Sequence, residues 1–262
     1  MIRVRGVALD IDSRRLLCGL NFDAPTHEIV AIIGPNGVGK TTLLRAIAAQ
    51  HPVGGGEILV DGANVASFSA VERARRIAFL AADETVGEAL AVREVVAAGR
   101  YPHHRWWEWR EGSDDAAAIA GALAEVGMES FRDRLFSSLS SGERRNVWIA
   151  LALAQATPVL VLDEPTTHLD VHVAQRMLAL LRRLARSGKT VLCALHDLNE
   201  AAAYADRIVL LGNGTMRAAG PPEAVLSSSL LDETYATSME RLHLADGTLR
   251  VFARSYPPGE AG

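Results

Sequence analysis

The chain has 262 residues, 49% of them hydrophobic, and a net charge of −4, enough for one large domain or a domain with a subdomain and a full core. Its basic residues are scattered along the chain rather than concentrated, which argues against a nucleic-acid partner. The two cysteines sit in apolar segments and imply no disulfide framework, which fits a reducing compartment, and no apolar run approaches the roughly 18 residues that a membrane-spanning helix needs.

The N-terminal Met-Ile-Arg-Val-Arg leads straight into a strand-like pattern, with no secretion-signal layout. Residues 2–9 and 16–22 read as short strands, and 57–60 as another before the turn at Asp61-Gly62. Together they predict a small antiparallel sheet. Residues 28–33 (EIVAII) form an apolar run that predicts a buried strand, and 43–50 predict a helix. Another apolar strand is expected at 76–80. Residues 86–157 change character: Ala, Leu and Glu recur at helical spacing, and strand-like runs are lacking except around 101–110. They predict a helical subdomain. The continuous apolar runs 159–162 (VLVL), 190–195 (TVLCAL) and 207–211 (RIVLL) are expected as parallel strands buried on both faces. Helices at 173–186 and 198–205 alternate with them. This alternation predicts an α/β core with its ligand at the carboxyl ends of the strands. Residues 213–262 read as a tail, with a turn at 212–214 and a short helix after Pro221-Pro222.

Between the strand at 28–33 and the helix at 43–50 lies Gly34-Pro35-Asn36-Gly37-Val38-Gly39-Lys40-Thr41-Thr42, which fits G-x-x-x-x-G-K-[ST]. Glycines let the backbone turn several N–H groups toward one point, and the following helix adds its positive end. The expected ligand is the phosphate chain of a nucleotide, with Lys40 at the β/γ-phosphates and Thr41 on Mg²⁺. Lysine occurs only at positions 40 and 189, so a chance match is on the order of one in a thousand. Asp163-Glu164 follows VLVL directly. Asp163 is placed to hold Mg²⁺, and Glu164 to polarise an attacking water. His196 ends the next strand, in reach of a γ-phosphate and that water. Leu139-Ser140-Ser141-Gly142-Glu143 precedes an apolar helix, where hydroxyls and N–H groups form a second anion site.

These motifs, in this order, resemble the nucleotide-binding subunit of an ATP-binding-cassette (ABC) transporter. GPNGVGKTT (34–42) is similar to its Walker A motif, VLVLDE (159–164) to its Walker B, and LSSGE (139–143) to its signature. The loop Thr167-His168-Leu169-Asp170 resembles its D-loop, and His196 its switch histidine. The likeness runs over nearly the whole chain. It implies a P-loop NTPase core of the RecA-like type, with an antiparallel β-subdomain and an inserted α-helical subdomain. The core with its β-subdomain would occupy 1–82 and 158–212, the helical subdomain 83–157, and the tail 213–262.

The resemblance also implies ATP and Mg²⁺ as ligands and a head-to-tail homodimer with two shared ATP sites. Ser140, Ser141, Gly142 and Glu143 of one copy would contact the nucleotide of the other, and Asp170 would report across the dimer. Glu164 would act as general base, and His196 would hold the γ-phosphate. Polytopic permease subunits would be the direct partners and a periplasmic or extracellular substrate-binding protein an indirect one. The chain would sit at the cytoplasmic face of the membrane. The stretch from Val92 to His103 and the segment 220–226 resemble importers of iron–siderophore, haem and cobalamin.

Two positions depart from the family. Ala82 stands where a glutamine is usual, and Ile11 where an aromatic stacks on adenine. These departures keep open a weakly hydrolysing nucleotide switch, and a soluble ABC protein outside transport is a further alternative. Ser141 stands where glycine is commoner. His103, His104, Trp106, Trp107 and Trp109 cluster together, and packing on the helical subdomain or docking a membrane subunit is expected of them before haem binding.

Overall fold

The computed structural model describes residues 1–82, 89–104, 112–245 and 247–254. Strands β1 (Ile2–Ile11) and β2 (Arg14–Ala24) form a hairpin. The two residues between them, Asp12 and Ser13, both take positive φ, as a tight two-residue turn that matches strand twist requires. Strand β3 (Ile29–Ile33) is buried at every position. The nine-residue loop follows it, and helix α1 (Lys40–Ile47) starts on the loop's own lysine, three residues earlier than expected. Strands β4 (Gly55–Val60) and β5 (Ala63–Asn64) complete a four-stranded sheet in the order β2-β1-β4-β5. Helix α2 (Ala70–Arg76), closed by a Ser69–Glu72 capping box, leads into β6 (Ile77–Leu80).

The described part of the helical region holds α3 (Val92–Ala97), α4 (Ser113–Glu125) and α5 (Ser141–Ala154). Val92, Val96, Ile119, Leu123, Phe136 and Val147 form its core. Residues 98–103 form a 3₁₀ turn, and most of the strand-like run at 101–110, with Trp106, Trp107 and Trp109, lies outside the described residues. After α5 come β7 (Val159–Leu162), α6 (Val171–Arg186), β8 (Thr190–Ala194), α7 (Leu198–Tyr204) and β9 (Arg207–Gly212).

The tail carries more structure than the sequence suggests. Strand β10 (Thr215–Gly220) joins the main sheet antiparallel to β9. Its run TMRAAG is mostly half-buried and carries no hydrophobic alternation, which hides it. The sheet therefore continues past the expected boundary at residue 212. Helices α8 (Pro222–Leu226) and α9 (Ser229–Tyr235) and a hairpin of β11 (Met239–His243) and β12 (Leu249–Ala253) follow.

The main sheet runs β10-β9-β3-β8-β7-β6, parallel from β9 through β6. Strand β8 sits between β3 and β7. The residues that leave the carboxyl ends of these three strands therefore meet in one place. One face of the sheet packs on α6 and α7, and the other on α1 and the antiparallel sheet. Helix α5 serves two cores: Ile149 and Ala152 face the sheet, while Val147 and Ala150 face the helical subdomain.

Candidate functional site

The loop between β3 and α1 is built on close approaches. A β-carbon at Gly34 would lie 2.4 Å from the Leu211 carbonyl oxygen of β9. Gly39, the residue before α1, has φ +107°, and a β-carbon there would meet methyls of Leu16 and Leu17 at 2.9 Å. Only glycine fits both positions. The Lys40 side chain is buried and curls over the loop, where Nζ donates to the carbonyls of Gly34 (2.8 Å) and Pro35 (3.1 Å). Burial lowers its pKa, and the charges of Glu164 and Asp163 push back upward.

Asp163 leaves β7 at 3% exposure. Burial raises its pKa, a hydrogen bond from the Thr41 hydroxyl opposes this, and Glu164 adds to the rise. Its Oδ1 is buried without a hydrogen-bond partner. An unpaired buried carboxylate oxygen beside a threonine hydroxyl is the donor set a small hard divalent cation takes, so the residues fit Mg²⁺. Glu164 has φ +47°, in the left-handed region. Its carboxylate pairs with His196 Nε2 and accepts from Thr167 Oγ1 at 3.2 Å. Another tie, from Thr166 Oγ1 to Glu200 Oε2 at 2.7 Å, joins the segment after β7 to α7.

A cleft of about 520 Å³ opens over these groups. Asn36, Gly37 and Thr42 line it together with Glu164 and His196, and Ile11 and Leu16 add apolar side chains to the lining. Ile11 is 42% exposed at this cleft. Of the loop, Asn36, Gly37, Gly39, Lys40, Thr41 and Thr42 line the cleft with Glu164 and His196, Asp163 meets it through Thr41, and Gly34, Pro35 and Val38 lie behind the lining. Ser140, Ser141, Gly142 and Glu143 do not line the cleft of their own chain. They open α5, where Ser140 and Glu143 form a capping box: Ser140 N–H and Oγ both donate to Glu143 Oε2 at 2.8 Å. Gly142 packs against Val173 of α6, and the exposed Asp170 precedes that helix.

Two contributors escaped the sequence reading. Tyr235 of α9, its hydroxyl pushed by burial to a pKa of about 12, hydrogen-bonds the Gly34 backbone, so the tail reaches the loop. Arg145 of α5 is buried and donates to three backbone carbonyls, acceptors that every residue carries. His103 and His104 are engaged structurally, with the Gln155 carbonyl (2.9 Å) and Asp115 (3.2 Å). Among the described residues no group of three or more His, Cys, Asp and Glu is placed to hold a metal ion by itself, and no helix is long and apolar enough to cross a membrane.

A family model described as ABC transporter matches residues 17–167. The hemin import ATP-binding protein of Streptomyces coelicolor is 41% identical, over 96% of this chain and 89% of that protein. The ferric enterobactin transport ATP-binding protein of Escherichia coli is 37% identical, over 89% and 87%. A solved structure described as a metal-chelate type ABC transporter in an inward-facing conformation superposes with a TM-score of 0.85. It is 26% identical and covers 97% of both chains.

Proposed function

Since the chain belongs to the ABC transporter family and is an ATP-binding ATPase subunit of importer type, we propose that it hydrolyses ATP at a site completed by a second copy and thereby energises uptake of haem or a similar iron- or cobalt-chelate. The observation that carries this reading is the convergence of Lys40, Thr41, Asp163, Glu164 and His196 at the carboxyl ends of β3, β7 and β8. Phosphoryl transfer to water needs positioning and charge neutralisation more than covalent chemistry.

The loop's N–H groups and Lys40 receive the phosphates. The Lys40 ammonium gives up the Gly34 and Pro35 carbonyls and turns to the β/γ-oxygens. Thr41 and Asp163 would hold Mg²⁺, which would supply charge neutralisation on the phosphate oxygens. Glu164 orients the attacking water and accepts its proton. The His196 ring, whose Nε2 pairs with Glu164, would release that carboxylate and donate to the γ-phosphate. Adenine rests on the aliphatic Ile11 and Leu16 rather than on an aromatic ring, which lowers its stacking contribution.

The cleft lacks the LSSGE segment of its own chain, which supports a dimer in which Ser140, Ser141, Gly142 and Glu143 of one copy close over the other's nucleotide. The Ser140 hydroxyl, now donating to Glu143, would redirect to the γ-phosphate. Asp170, beside the Gly142–Val173 contact, lies at the same junction. The dimer would work on permease subunits at the cytoplasmic face of a membrane, with a substrate-binding protein on the far side. Names of the relatives cited above support an iron-chelate or haem cargo.

Steady-state phosphate release tests the reading. Glu164→Gln should lower kcat about 100-fold or more while ATP binding persists. No stimulation of turnover by any permease, together with unchanged turnover in Glu164→Gln, would overturn the reading and favour a nucleotide-binding switch.

A further inference from the structure

Arg145 is a charged side chain at 8% exposure. Its three resolved hydrogen bonds go to main-chain carbonyls: Nη2 to Asp163 at 2.8 Å, Nε to Pro165 at 3.2 Å and Nη1 to Ala81 at 3.1 Å. The first two acceptors flank Glu164. That residue has φ +47°, a conformation a non-glycine residue keeps only where its surroundings over-determine it. The third acceptor lies just past β6, immediately before Ala82. One guanidinium thus grips the backbone on both sides of the acidic residue and the exit of the neighbouring strand. It stands on the first turns of α5, five residues after Ser140.

We propose that Arg145 is a positioning residue that holds Glu164 in its left-handed conformation and ties that conformation to the helix carrying LSSGE. The inference rests on the hydrolytic role of Glu164 argued above. The carboxylate's aim at His196 depends on the Glu164 backbone, because its neighbours' carbonyls fix the peptide planes on either side. A planar, permanently charged fork reaches three carbonyls at once. When α5 shifts, the Glu164 backbone must shift with it. Arg145 therefore supplies a mechanical link between α5 and the water-polarising group, next to the position where Ala82 offers no side chain able to do so.

Two measurements on the full chain test this. The first is amide hydrogen exchange without nucleotide, comparing the unaltered chain with Arg145→Met and Arg145→Lys. Exchange in residues 162–168 should rise about tenfold in Arg145→Met and less in Arg145→Lys, while β3 and β9 stay protected. Unchanged exchange at 162–168 in a folded variant overturns the proposal, whatever the activity of the protein. If Arg145→Met fails to fold, the Arg145→Lys comparison decides in the same way.

The second is kinetics. Arg145→Met should lower kcat about 100-fold, the scale of an ångström-level misplacement, with the KM for ATP changed less than about threefold. In a Glu164→Gln background it should lower turnover no further, since the group it positions is gone. A kcat loss that persists in full in that background, or a loss confined to KM, overturns the proposal. An inactive unaltered chain would instead count against the ATPase reading, and the exchange result would still judge Arg145.

Discussion

Replacing Lys40 with methionine separates binding from folding. In the folded chain the ammonium is buried and makes two hydrogen bonds, to Gly34 and Pro35. Its pKa is lowered from 10.5, first by burial. A cation whose folded pKa lies below its unfolded value carries a charge that costs folded stability at every pH below that folded value. Lys40→Met removes this cost together with two hydrogen bonds to carbonyls. The two effects oppose each other, and stability without ligand should change by less than about 1.5 kcal/mol.

Affinity should behave differently. Loss of a charge-assisted contact to the phosphates is worth about 1.5–3 kcal/mol, roughly a 10- to 150-fold rise in Kd. With ATP at about 100 times the unaltered Kd, ligand linkage stabilises the unaltered chain by about 2.7 kcal/mol, and the variant by about 0.3–1.4 kcal/mol. For a chain of this size the ATP-induced rise in Tm should fall from about 5–11 °C to about 1–6 °C. Thermal unfolding with and without ATP and Mg²⁺ reads both quantities. An undiminished ATP shift in Lys40→Met would refute phosphate binding at this loop. A ligand-free destabilisation above about 3 kcal/mol would refute the balance of burial against hydrogen bonding.

The helical subdomain depends on Asp115, which pairs with Arg100 at 2.8 Å and with His104 at 3.2 Å and accepts from the Gly112 N–H at 3.1 Å, all near the base of α4. Asp115→Ala leaves the half-buried Arg100, which keeps its bond to the Ala154 carbonyl, without its carboxylate and should cost about 2–3 kcal/mol in urea unfolding. The Arg100 hydrogen bond holds the Asp115 pKa below 3.8. The stabilisation is therefore full above that value and is lost as pH falls through the lower folded pKa, so variant and unaltered chain should converge in strong acid. At Gly39, φ +107° and two leucine methyls at 2.9 Å mean that Gly39→Ala should destabilise by about 2–4 kcal/mol and weaken ATP binding. Gly121, inside α4 with no atom within 4 Å of its built β-carbon, should do the opposite: Gly121→Ala should stabilise by about 0.5–1 kcal/mol, measured by the same unfolding curves.

Legibility of the fold in the sequence followed burial. EIVAII, VLVL, TVLCAL and RIVLL announce themselves because strands buried on both faces need continuous apolar runs, and these became β3, β7, β8 and β9. Strand β10 did not, since a half-buried edge strand can be built from TMRAAG. At the site, groups whose chemistry demands a residue type at a spacing were readable: Lys40, Thr41, Asp163, Glu164, His196. Arg145 was not, because it donates to main-chain carbonyls, which every residue carries. Nor was the left-handed Glu164, a conformation that sequence suggests for glycine or asparagine. Tyr235 touches Gly34 from some 200 positions away, and no local pattern encodes such a contact.

A site shared between two copies is tested most directly by the mass of Glu164→Gln in solution with saturating ATP and Mg²⁺, measured by sedimentation. Without hydrolysis to reopen it, the nucleotide-closed form should accumulate as a particle of two 28.1 kDa chains and revert to one when ADP replaces ATP. A single-chain mass at saturating ATP, with binding confirmed in the same sample, would contradict a site completed by LSSGE of a second copy.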